Sequence, residues 1–197
     1  MIKQSQILLA VMLGSSISAL SVNADDMDIK EHKASGFTGY YIGAALKADH
    51  ITIGGTAESD TSMGYGALLG WRFQLNDKLL LGLEGNLDSR TGELKGYQSS
   101  FAFDYSWQLT TTIATVVGEG NNHMLYARLG VGGIKVDPTI HGRRFRSEHF
   151  EGALSALGYE WRLRENVGVR TEVSYISYDE ELDFEQTQSS VSIIYNF

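Results

Sequence analysis

The chain has 197 residues, enough for one domain, with 16 Lys and Arg against 24 Asp and Glu. That acidic balance argues against a nucleic-acid partner, which requires a basic field. The absence of cysteine excludes disulfides, thiolate metal sites and a cysteine nucleophile, and 22 glycines beside a single proline suit long paired strands, from which proline is expelled.

Lys3, the apolar run over residues 7–20 and the small-residue site Val22-Asn23-Ala24 read as a secretory signal, residues 1–24, cleaved after Ala24. The run is short for a transmembrane anchor and is broken by Ser15, Ser16 and Ser18. Residues 25–36 are polar and unpatterned, a short periplasmic leader. Residues 37–197 are the domain proper. No stretch in it is long and apolar enough for a transmembrane helix, so entry into a membrane requires a closed barrel.

Eight alternating segments follow in order. The first strand covers about 37–47, with Tyr40, Ile42, Ala44 and Leu46 opposing Tyr41, Gly43, Ala45 and Lys47. A polar loop, 48–62, leads to the second, about 63–74, where Tyr65, Ala67, Leu69, Trp71 and Phe73 oppose Gly64, Gly66, Leu68, Gly70 and Arg72. A turn at Asn76-Asp77 opens the third strand, with Leu81, Leu83 and Leu87 against Gly82, Glu84, Asn86 and Asp88. After a loop over 89–98, the fourth, about 101–117, sets Phe103, Tyr105, Trp107, Leu109 and Ile113 against Asp104, Ser106, Gln108, Thr110 and Thr112. The fifth has Leu125, Ala127, Leu129 and Val131 against Tyr126, Arg128, Gly130 and Gly132; the loop 136–149 holds Pro138. The sixth has Tyr159, Trp161 and Leu163 against Gly158, Glu160 and Arg162, and the seventh has Val167, Val169, Val173 and Tyr175 against Gly168, Arg170, Glu172 and Ser174. An acidic loop, 179–185, precedes the last strand, in which Val191, Ile193, Tyr195 and Phe197 share a face.

Long and short connections alternate, and the short turns carry Asn76, Asn121 and Asn166, each 45 residues after the last. This is the asymmetry of an outer-membrane barrel, with short periplasmic turns and longer extracellular loops. The face without charges holds Trp71, Trp107 and Trp161. The opposite face is glycine-rich and carries Lys47, Arg72, Arg128, Arg162 and Arg170 against Glu84, Asp88, Asp104, Glu160 and Glu172. An eight-stranded barrel is just wide enough inside for side chains to fill, so the aromatic face belongs outside and the charges inside, paired. Neighbouring strands make Arg72 with Glu84, and Glu160 with Arg170, the expected partners. Trp71, Phe73, Tyr159, Trp161, Tyr195 and Phe197 then form one aromatic girdle, and Tyr65, Phe103 and Tyr175 the other. The last strand is expected to close on the first, with Phe197 near residues 37–40.

Tyr40-Tyr41-Ile42-Gly43-Ala44, Gly66-Ala67-Leu68-Leu69-Gly70-Trp71-Arg72-Phe73, Leu125-Tyr126-Ala127-Arg128-Leu129-Gly130-Val131 and the terminal Tyr195-Asn196-Phe197 make the chain resemble the small outer-membrane barrels of Gram-negative bacteria, the OmpA/OmpX-like family. The resemblance implies an all-β fold, an eight-stranded antiparallel up-and-down transmembrane β-barrel, in the outer membrane. It also implies that the C-terminal strand, through Val191, Ile193, Tyr195 and Phe197, is the signal read by the barrel-assembly machinery.

The residues point away from catalysis. His149 beside Glu148 is the best candidate base, but no serine or acid stands at a matching spacing, and no metal or cofactor site is visible. The expected interior network is Arg72, Glu84, Asp104, Arg128, Glu160, Arg162, Arg170 and Glu172. The basic run Arg143, Arg144 and Arg146 is the candidate surface contact, for lipopolysaccharide phosphates or a host or matrix ligand. The expected role is envelope integrity or surface interaction by a monomer. The alternatives are a lipid A-modifying enzyme and, third, a small-solute porin.

Overall fold

The computed structural model describes residues 36–53, 59–91, 93–95, 99–118, 120–140, 143–144, 148–178 and 184–197. The chain divides into two units, and the second, Lys33–Phe197, contains all of the described residues. Eight long strands build it: β1 (Gly39–Ile53), β2 (Ser59–Gln74), β3 (Leu79–Thr91), β4 (Ser99–Val117), β5 (His123–Ile140), β6 (Glu148–Arg162), β7 (Val167–Tyr178) and β8 (Phe184–Asn196). Each pairs antiparallel with its chain neighbours, and β8 returns to β1, with Tyr41 opposite Asn196, so the sheet closes into a barrel without an edge along its main wall. Phe197 donates its backbone N–H to the Tyr40 carbonyl at 2.9 Å and finishes the seam.

The stagger is read from opposed residues. Tyr41 faces Gly70, then the path runs through Glu84, Thr110, Gly130, Leu154, Ile176 and Gln186 and returns to β1 at Ile51, ten residues above its start (51 − 41). Such a stagger tilts the strands and sets an interior that side chains fill. Residues on the tilted path share the inner face, which is how side chains distant in sequence reach one level.

The strands outrun the alternation that announced them. The expected loop over 48–62 is mostly ladder: β1 continues to Ile53 and β2 begins at Ser59. The other three long loops shorten in the same way, and two short strands, Glu93–Lys95 on β4 and Arg143–Arg144 on β5, extend the wall further. The reason is that apolar alternation marks where lipid lies, whereas backbone hydrogen bonds continue wherever two strands stay in register. Pro138 lies in this overhang rather than in a loop, past Val136, where β5 has lost β6 as a partner. A register shift between Phe103 and Ser106 also interrupts β4. The faces expected for Phe103 and Asp104 fall on side chains outside the described residues.

At the opposite end the connections are tight. Asn76 Oδ1 accepts the N–H groups of Lys78 (3.1 Å) and Leu79 (3.0 Å). In the β4–β5 turn the backbone is left-handed at Gly118 (φ 84), Gly120 (φ 90) and Asn121 (φ 54), a conformation that glycine and asparagine tolerate. Phe37 does not begin β1 as expected. It turns inside and is fully buried among Leu80, Ala114, Val116, Met124 and Tyr126, an apolar floor at the turn end.

Candidate functional site

The outer wall is a band of exposed apolar side chains, from Leu46 and Leu69 through Leu129, Leu157 and Ile193. Aromatic rings collect at its turn end: Tyr40 stacks on Trp71 (6.2 Å), Trp71 meets Phe73 (5.2 Å), and Tyr195 meets Phe197 edge to face (5.2 Å). Val191, Ile193, Tyr195 and Phe197 all lie exposed on this wall. Tyr65 and Tyr175 stand on the same face nearer the loop end.

Above the apolar floor the interior is charged. Glu84 accepts the Tyr41 hydroxyl at 2.6 Å and Arg170 Nη1 at 2.5 Å, and it pairs with Arg128. Glu160 holds Arg72 Nη2 at 2.7 Å and Arg170 Nη2 at 3.1 Å. Glu172 takes Arg128 Nη2 at 2.6 Å and the Tyr126 hydroxyl at 2.7 Å. These three arginines and three glutamates neutralise one another, and Glu160 is fully buried. Charges this deep persist only because each is matched and hydrogen-bonded. The Arg72 guanidinium lies 4.0 Å from the Tyr41 ring centre, and Arg170 sits 5.2 Å from both Tyr41 and Tyr126. A void of about 10 Å³ lies beside the network, bordered by Lys47, Glu84, Asn86, Arg170 and Glu172, room for a single water.

The two tyrosines are placed by the same device. Tyr41 is directly opposite Gly70, and Tyr126 is directly opposite Gly158. A β-carbon on either glycine would collide with the phenol ring laid across it. Glycine at these two positions lets an aromatic ring lie flat on the neighbouring strand and present its hydroxyl to a glutamate.

Of the residues expected in the network, Arg72, Glu84, Arg128, Glu160, Arg170 and Glu172 come together, and Glu160 pairs with Arg170 across β6–β7. Two details differ. Arg72 does not pair with Glu84: it stands opposite Gly82 on β3 and reaches across the interior to Glu160. A long guanidinium in a narrow barrel finds the far wall as easily as the next strand. Arg162 does not join the network either. At the end of β6 it donates to the Asn121 carbonyl (3.2 Å) and Asn122 Oδ1 (3.0 Å), and its guanidinium lies 5.1 Å from the Phe37 ring centre. Ala24 and Arg146 lie outside the described residues, as do the side chains of Asp104, Arg143 and Arg144; the backbones of Arg143 and Arg144 pair with Ile140 and Thr139. His149 projects from the outer wall, 6.4 Å from the Tyr105 ring.

A second polar layer was not foreseen. Asp49 and Arg90, both in expected loops, are buried inside the barrel with Asp49 Oδ2 3.5 Å from Arg90 Nε. Asp49 Oδ1 accepts the side-chain amides of Gln186 (2.8 Å) and Gln188 (2.6 Å), and Tyr178 donates to Gln186 Oε1 at 2.7 Å. Lys47 and Asp88, 2.7 Å apart, link this layer to the one below. The signal available in sequence was period-two polarity continuing past Lys47 through Asp49, and past Asp88 through Arg90.

The crystal structure of Ail, the attachment invasion locus protein of Yersinia pestis, matches with a TM-score of 0.61 at 17% identity, covering 81% of this chain and 99% of Ail. Ail in complex with the heparin analogue sucrose octasulfate matches at 0.58 and 15% identity, covering 81% and 99%. Neisserial surface protein A (NspA) matches at 0.59 and 12% identity, covering 81% and 98%. Identities this low carry the fold alone. No curated protein sequence matches the chain. The family model for the outer membrane protein beta-barrel domain matches residues 7–197. An apolar outer wall, an aromatic girdle and a neutralised interior in a closed eight-stranded barrel agree with that match, and the chain belongs to the outer membrane protein β-barrel family of Gram-negative bacteria.

Proposed function

We propose that the protein acts at the cell surface through its loop end, as a non-catalytic barrel for contact with a polyanionic ligand, and that it contributes to envelope integrity. One observation carries this reading: the described interior is filled by paired, buried charges, which favours the rim for interaction over a lumen for transport. Residues 1–24 act as the export signal, cleaved after Ala24. Residues 25–36 are a periplasmic leader, and the Val191, Ile193, Tyr195 and Phe197 face is read during assembly of the monomer. Arg143, Arg144 and Arg146 supply the basic contact, to lipopolysaccharide phosphates or to a sulfated or phosphorylated host polymer. The complex of Ail with a heparin analogue supports a polyanion of this class for a barrel of this fold.

Replacing all three arginines with serine is expected to lower binding of immobilised heparin-like polymer and of purified lipopolysaccharide several-fold at equal surface level. The loss should be greatest at low salt, where exposed charges are least screened. Unchanged binding of both ligands removes the loop reading.

A further inference from the structure

His123 opens β5 on the outer wall at the turn end, directly opposite Trp161. It is held on several sides. Its Nδ1 lies 2.6 Å from the Tyr159 hydroxyl, and its ring stacks on Tyr159 (5.9 Å, 14° between planes) and on Trp161 (6.2 Å, 22°). Behind it, a β-carbon on Gly118 would press against the imidazole edge. A surface histidine fixed this way has lost its rotamer freedom before any ligand arrives, the condition under which one further polar contact is worth most.

In the tautomer in which the Tyr159 hydroxyl donates to Nδ1, and in the imidazolium, the ring carries an N–H on Nε2. Nε2 has no hydrogen-bond partner among the described residues. Tyr159 and Trp161 are both exposed in the girdle, where amphipathic rings mark the level of lipid headgroups. Acceptors at that depth are headgroup phosphates, with ester carbonyls beneath them. The adjoining turns carry exposed Lys78 and Arg164 but also Asp77 and Glu165, and the sequence of the turn before β5 adds Glu119, so no net positive field assists and the selectivity rests on the fixed imidazole.

We infer that His123, Tyr159 and Trp161 form a docking site for the phosphate of a phospholipid headgroup in the leaflet at the turn end. Nε2–H donates to a phosphate oxygen, Tyr159 orients the ring through Nδ1, and Trp161 backs it. This site is separate from the loop end and does not depend on what the loops bind.

Native mass spectrometry of the full barrel from maltoside micelles tests it, with phosphatidylglycerol and monogalactosyl diacylglycerol of identical acyl chains as probes. The wild type is expected to retain the phosphate lipid roughly three- to tenfold more tightly, the scale of one charge-assisted hydrogen bond at a wet surface. His123→Phe, which keeps a ring for stacking, loses that preference, while His149→Phe at the other end keeps it. Tyr159→Phe removes only the orienting hydroxyl and weakens the preference, which reads the site even if His123→Phe assembles poorly. Equal retention of the two lipids by the wild type overturns the site, as does a preference that survives in both His123→Phe and Tyr159→Phe.

Discussion

Glu84 is the residue on which the interior turns. It meets Arg128, Arg170, Tyr41 and Asn86 at once. Glu84→Ala leaves two buried guanidinium groups short of a counter-charge, and removing one partner from a buried pair costs about 3–5 kcal/mol. Urea unfolding in lipid vesicles is expected to show a loss of that size. Tyr126→Phe removes one hydrogen bond to Glu172, which remains paired with Arg128, so the expected loss is smaller, about 1.5–3 kcal/mol. Equal losses for the two variants contradict a network centred on Glu84.

At the scale of the element, the asymmetry between the barrel's two ends has separate causes. The turn end is set by local chemistry: Asn76 receives two backbone N–H groups, and Asn121 accepts a left-handed backbone. Asn121→Gly should therefore leave stability within a few tenths of a kcal/mol, whereas Asn121→Val forces a β-branched residue to φ > 0 at about 1–3 kcal/mol. The same urea series checks both, and a neutral valine shows that the turn relaxes without strain. The loop end is set by pairing that persists after the apolar pattern stops, so its strands project past the apolar band and raise the rim above it.

For the barrel unit as a whole, the consequence is an interior plugged in layers. Phe37 and its neighbours floor the turn end, the Arg72–Glu160 and Arg128–Glu84 layer lies above, and the Asp49–Arg90 layer above that. Purified barrel in planar bilayers is expected to give no stable nanosiemens-scale conductance, while showing the heat-modifiable gel mobility of a closed barrel. Stable channels of that size from the monomer would falsify the filled interior.

Much of this was legible in the chain. Alternation with period two assigned nearly every core residue to lipid or interior, because one step along a strand reverses the side chain and a charge facing lipid at mid-depth costs about 2–4 kcal/mol. The strand count, the tight turns at Asn76, Asn121 and Asn166, and the closure of β8 on β1 followed from that pattern. Strand adjacency also made the Glu160–Arg170 pair legible; what tertiary structure alone decided was where the other interior charges go. Arg72 reaches Glu160 rather than Glu84, Arg162 leaves for the turn at Asn122, and Asp49 joins Arg90. The first and third depend on the ten-residue stagger and on distances across the barrel, which no local window of sequence contains, whereas Arg162 meets Asn122 at the end of the adjacent β5–β6 ladder. By itself the sequence determined the two faces of the wall, since solvent acts on each residue separately, and one neighbouring-strand pair; closure of the barrel determined the partners that meet across the interior, since those depend on the positions of all eight strands together.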